Sequence, residues 1–105
     1  MKIFKHLFII LLIVSSASWG WGRPRITISY GETGEGFSQV QIKNETSAIL
    51  ACYVAIDGFK TRFQLGSKSR SNWINATDTR FNYQNFSTWC DYLELYPQYK
   101  KYKEY

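Results

Sequence analysis

Residues 48–65, AILACYVAIDGFKTRFQL, decide the fold. Two runs rich in β-branched and aromatic residues flank Asp57-Gly58, and a two-residue Asp-Gly link is among the strongest short-range hairpin signals because both residues tolerate positive φ. Pairing Ile56 with Phe59 sets Val54 opposite Thr61 and Cys52 opposite Phe63. That register gathers an apolar set on one face and leaves Tyr53, Ala55, Lys60, Arg62 and Gln64 on the other.

Working outward, Ile26, Ile28 and Tyr30 alternate with Thr27 and Ser29, the period of a half-buried strand. Gly31, Gly34 and Gly36 break it within six residues and suit a hairpin connection. A phosphate loop would need a Gly-Lys-Ser/Thr ending and a following helical pattern, and neither is present. Val40 and Ile42 resume the strand, with Phe37 out of phase, which a bulge near Gly36 or a place at the sheet edge would reconcile. Residues 44–47 read as a turn, so the first four strands are expected to form an antiparallel meander.

Beyond the hairpin, residues 66–72 are polar and without period, an exposed loop. Trp73 and Ile74 are expected to return to the core. Residues 81–95 read as one strand or two short ones carrying Cys90, with apolar residues on both faces, as a strand covered on two sides requires. The end is expected to stay peripheral. Tyr92, Tyr96, Tyr99, Tyr102 and Tyr105 recur at steps of four, three, three and three, and the stretch from Pro97 reads as a short helix or an extended arm flanked by Lys100, Lys101 and Lys103.

At the other terminus, Met1 to Gly22 has the pattern of a secretory signal peptide. Lys2 and Lys5 charge its start, Leu7 to Val14 is unbroken apolar sequence, and Ser15-Ser16-Ala17 supplies small residues, with cleavage placed between residues 17 and 22. The apolar run falls well short of the roughly 20 residues of a membrane span. The division expected is therefore signal 1–22, β-domain 23–96 and Tyr/Lys-rich tail 97–105. A mature chain of 83 to 88 residues builds one modest core and benefits from a covalent staple. In an oxidising compartment Cys52 and Cys90 supply it as a disulfide.

Cys52 on an apolar strand, bridged to another strand and followed by a tryptophan, loosely resembles immunoglobulin-like sandwiches. The cysteines are 38 positions apart, Trp73 stands 21 beyond the first, and Thr88 occupies the place of the tyrosine two before the second. No functional residue is carried over from the resemblance; the strand pattern itself reads as a small antiparallel β-sandwich or meander of five to seven strands, loosely immunoglobulin-like.

Function is less legible. Without Lys2 and Lys5 the net charge is +3 rather than +5, and Lys60, Arg62, Lys68, Arg70 and Arg80 fall in one segment opposed only by Asp78. The single histidine, His6, lies inside the signal, so the mature chain has no imidazole for a nucleophilic triad or the usual zinc site. Two close carboxylate pairs remain, Glu32/Glu35 and Asp91/Glu94, neither with a glycosidase signature. The expectation is a secreted or periplasmic binding module, not an enzyme, without cofactor or metal. A protein partner leads, an envelope glycan held by exposed aromatics is the alternative, nucleic acid is excluded by export, and membrane contact is peripheral at most. The candidate binding residues are Tyr53, Arg62, Trp73, Trp89, Tyr99, Lys100, Lys101 and Tyr102. Sequons at Asn44, Asn75 and Asn85 are candidate glycosylation sites, with Asn44 and Asn75 in expected turns.

Overall fold

A computed structural model describes residues 22–105. All but the last residue of the expected signal peptide lie outside that range. Six strands form two antiparallel three-stranded sheets: β1 (Ile26–Glu32), β2 (Ser38–Asn44) and β5 (Ile74–Asn75) in the order β1-β2-β5, and β3 (Leu50–Ile56), β4 (Phe59–Leu65) and β6 (Ser87–Tyr92) in the order β4-β3-β6. The helical segments among the described residues are short 3₁₀ turns at Tyr83–Asn85, Leu93–Leu95 and Pro97–Lys101.

The central hairpin has the register its sequence predicts. Ile56 pairs with Phe59, Val54 with Thr61 and Cys52 with Phe63. Asp57 and Gly58 both adopt positive φ, 50° and 83°, the signature of a type I′ turn whose twist matches that of the flanking strands.

The meander does not form. β2 and β3 are consecutive in sequence but belong to different sheets, so the chain crosses the core between them. Val40 and Ile42 of β2 then face Leu50, Cys52, Val54, Phe63, Leu65 and Cys90 of the opposite sheet, which makes the fold a sandwich around one core. The crossing is held by Asn44. Its side chain is fully buried; Nδ2 donates to the carbonyls of Ala48 (2.7 Å), Gly66 (2.9 Å) and Leu65 (3.1 Å), while Oδ1 accepts from the Thr46 backbone N–H (2.8 Å) and hydroxyl (2.7 Å). One carboxamide thereby ties the end of the first sheet to the end of β4. Phe37 needs no bulge: it sits in the β1–β2 loop, where its N–H bonds the Thr33 hydroxyl and its carbonyl accepts from the Thr33 N–H.

Cys52 and Cys90 form the expected disulfide, but within one sheet. They are direct cross-strand partners on β3 and β6 with Cα atoms 4.1 Å apart, whereas the immunoglobulin bridge joins two sheets. The likeness to that family therefore extends to the sandwich architecture and no further.

Candidate binding surfaces

Seven of the eight candidate binding residues gather on, or over, the outer face of the β4-β3-β6 sheet. Arg62, Tyr53 and Trp89 lie side by side across its three strands. Trp89 stacks on Tyr53 at 5.3 Å and meets Tyr96 edge-on at 4.9 Å and Tyr99 at 5.9 Å, while Tyr99 contacts Tyr102 at 5.3 Å. Residues three apart eclipse on a 3₁₀ helix, so steps of three bring Tyr96 and Tyr99 to Trp89 and set Tyr102 against Tyr99. Lys60 completes the layer, its Nζ 4.2 Å from the Tyr53 ring centroid.

This arrangement overturns the expectation of a peripheral tail. Tyr99 is only 8 % exposed. The Gln64 side chain donates to the Tyr102 carbonyl at 2.7 Å, and the Gln64 and Gly66 N–H groups donate to the carbonyls of Lys103 (2.7 Å) and Tyr105 (2.8 Å), so the last residues pair in parallel with the end of β4. The Tyr105 ring packs edge-on against Phe63 at 5.5 Å. The physical reason is area: a tyrosine carries a large apolar body with one polar tip, and a thin sandwich has a second sheet face to cover. Lys100 and Lys101 stay exposed, and Lys103 and Glu104 follow them along the chain.

Trp73 stands apart, 42 % exposed rather than in the core. It precedes β5 on the outer face of the other sheet and covers Gly31, where an added Cβ would lie 3.5 Å from the indole. Beside it the Gln39 amide donates to Asn75 Oδ1 at 2.9 Å.

A cleft of about 540 Å³ opens at the same end of the first sheet, lined by Tyr30, Glu32, Ser38, Arg80, Asn82 and Tyr83 among others. Tyr30 and Tyr83, 46 % and 55 % exposed, tilt against each other at 5.4 Å. The segment after β5 is fixed by the Ser38 hydroxyl, which donates to the Phe81 carbonyl, and by the Ala76 N–H, which donates to the Ser38 carbonyl. Arg80 forks onto Asp78, Nε to Oδ1 at 3.0 Å and Nη2 to Oδ2 at 2.8 Å. These hydrogen bonds and that of the Arg80 backbone N–H hold the Asp78 carboxyl down at about 2. Sequence reasoning missed this pair of tyrosines. Tyr30 has the parity of a core residue but sits where the strand runs past the core, and only the fold shows that.

The third surface is backbone. Thr33 N–H bonds the Phe37 carbonyl and Glu45 N–H bonds the Arg25 carbonyl, so the odd-numbered residues of β1 spend their N–H and C=O groups on β2. Ile26, Ile28, Tyr30 and Glu32 therefore direct theirs outward, and no backbone partner meets them among the described residues. The other edges are better guarded. The outward groups of β2 bond Ser69, Ser71 and Ala76, the end of β4 is closed by the tail, and the open half of β4 displays Lys60 and Arg62. The β6 edge is shorter, and Asp91 Oδ1 takes the Tyr92 N–H.

The sequons divide. Asn44 is buried and bonded at both ends of its amide, so a glycan there is incompatible with this fold. Asn75 and Asn85 are exposed, the latter accepting the Asn82 N–H as a turn cap. Among the described residues no group of three His, Cys, Asp or Glu side chains is placed to hold a metal, and no helix is long and apolar enough to cross a membrane. No family model, curated protein or solved structure matches this chain.

Proposed function

We propose that this chain is an exported, non-enzymatic protein-binding module of the periplasm or cell exterior, and that its recognition element is the open edge of β1. The observation that carries the reading is the row of outward N–H and C=O groups on Ile26, Ile28, Tyr30 and Glu32. An extended segment adds to such an edge by main-chain hydrogen bonds, and neighbouring pockets select its side chains. Tyr30, the third residue of that row, also lines the cleft with Tyr83, so a strand laid on β1 would run beside two exposed aromatic rings of the kind that anchor protein interfaces. Export is supported by the N-terminal pattern and by the disulfide, which is compatible with an oxidising compartment.

Replacing Ile28 by proline tests the reading, because it removes an outward N–H without touching the β1–β2 ladder. Ser29→Lys places a charge on the same edge while leaving the core side chains in place. Both variants should fold and lose binding to proteins retained from the native secretome; retention by either at the wild-type level overturns it.

A second reading has one observation of its own. Trp73 lies exposed beside the Gln39–Asn75 amide pair on a flat sheet face, an arrangement suited to stacking and hydrogen-bonding a sugar ring. Glycan-array binding that Trp73→Ala abolishes and Ile28→Pro leaves intact would establish this reading in place of the first.

A further inference from the structure

Resting on the reading of β1 as the recognition element, we infer that the strand that completes it is β1 of a second copy, paired antiparallel about a twofold axis through Ser29. Three features of the edge select that occupant. First, the segment from Ile26 to Gly31 contains no charge and no proline, the devices by which edge strands normally prevent self-association.

Second, the outward groups fit themselves. Antiparallel pairing with Ser29 opposite Ser29 of the second copy sets Ile28 opposite Tyr30 and Ile26 opposite Glu32, each twice over. Every outward N–H and C=O of the strand is then matched over all seven residues. Shifting the centre to Ile28 would place Glu32 against Pro24, which has no N–H to give, and shifting it to Tyr30 would run Ile26 into the turn at Gly34. A twofold contact of this kind closes on itself and does not propagate.

Third, the two ends of β1 differ in charge. Arg23 and Arg25 precede it, and beside them Lys43 and Lys68 flank one carboxylate, Glu45, which accepts from the Thr27 hydroxyl and lies 3.6 Å from Lys43 Nζ, while Arg70 is joined to Lys43 by a backbone β-bridge. At the far end Glu32 closes the strand and Glu35 follows, while Arg80 is neutralised by Asp78. Antiparallel pairing brings the arginine end of each copy to the glutamate end of the other. Parallel pairing would set like against like. Because these charges are exposed, the association should weaken as salt rises.

The dimer also extends the first sheet from three strands to six and brings Tyr30 of each copy beside Ile28 of the other, next to the cleft.

Sedimentation velocity on the full exported protein, with a cysteine introduced at one position at a time, tests the inference. Both native cysteines are in the disulfide, so the introduced thiol is the only one. Ser29→Cys puts two thiols across the axis in a non-hydrogen-bonded pair, the kind of site that Cys52 and Cys90 occupy. The expected result is a concentration-dependent dimer, rapid covalent linkage of Ser29→Cys, little linkage of Thr27→Cys, which faces Gly31 instead, and slowed exchange of the Ile28 and Tyr30 amides on association. A wild-type protein that stays monomeric overturns the inference while leaving the edge reading to the Ile28→Pro experiment. A dimer that Ile28→Pro and Ser29→Lys leave intact overturns both.

Discussion

Gly66 and Tyr105 lie backbone to backbone: the Gly66 N–H donates to the Tyr105 carbonyl at 2.8 Å, and a Cβ on residue 66 would stand 3.1 Å from that oxygen and 3.2 Å from Glu104 Oε2. Glycine is favoured here by proximity, not by φ, since an added Cβ would make the last residues shift by a few tenths of an ångström. Gly66→Ala should therefore push the last residues off β4 at a cost of about 1 kcal/mol, visible as faster exchange of the Gln64 amide. A chain ending at Tyr96 should lose more, about 3 kcal/mol or above, because it strips Trp89 of Tyr99 and leaves the Gln64 amide unpaired. A melting temperature unchanged by that truncation would show the tail to be peripheral after all.

Asn44 carries the crossing between the sheets, so its replacement should be among the most damaging changes. Asn44→Ala leaves the carbonyls of Ala48, Leu65 and Gly66 without this donor, at roughly 3 kcal/mol or more. Asn44→Asp should be worse at neutral pH, since a buried carboxylate would face those carbonyl oxygens. Its pKa would rise, so stability should recover as pH falls through that raised value; urea titrations at neutral and acid pH would show it.

How far the sequence reaches is visible in these two residues. The β3–β4 register follows from period-two patterning and a two-residue turn, both local signals, and the disulfide from there being two cysteines in a chain read as exported. Asn44 reads locally as a turn residue and a sequon, and its burial depends on where β4 ends, 21 residues later. The change of sheet at Asn44 has the same origin: nothing within residues 44–50 says that β2 and β3 part. Tyr99 and Tyr30 invert each other for a related reason. The one reads as exposed and is buried because a sheet face needed cover; the other has core parity and is exposed because the strand outruns the core. Composition singles out Tyr53, Trp89 and Tyr99; that these rings stack together and seat the tail on the sheet is seen only in the fold. That β1 is an open edge follows from the strand order and cannot be read from its own residues.

The Asp78–Arg80 pair gives a pH signature. The carboxyl is held at about 2 against an ordinary value near 3.8, chiefly by hydrogen bonds from Arg80. A group depressed on folding contributes stability above its unfolded value and loses it as pH falls through the folded one, so the contribution is complete above about 3.8 and gone below about 2. Both groups are near solvent, and the effect on global stability should be small. Carboxyl carbon NMR should place Asp78 near 2, and Arg80→Ala should return it toward 3.8.

The type I′ turn separates its two residues cleanly. Gly58→Val forces a β-branched side chain to φ near 83° and should cost about 1–3 kcal/mol. Asp57→Asn keeps a residue that tolerates positive φ and should be near neutral. Equal melting temperatures for Gly58→Val and wild type would contradict the turn.

The disulfide makes a prediction about place as well as size. Closing a loop of this length stabilises by roughly 4 kcal/mol in the chain-entropy account, so replacing Cys52 and Cys90 together by alanine should cost about 2–5 kcal/mol. The two hairpins are local and keep their own turns. β6 is different: it reaches β3 from 38 residues away, and beyond its ladder with β3 it is held to the tail through Trp89. Losing the bridge should therefore loosen β6 and the Tyr99–Tyr105 segment first, as one unit. Native-state hydrogen exchange in the double variant should show the amides of Trp89 and Gln64 opening together below the global unfolding free energy, with those of Val54 and Phe63 still opening at it. If all four open together, β6 and the tail belong to the global unit and do not depend on the bridge; if Trp89 opens without Gln64, the tail adds nothing to the cooperativity of β6.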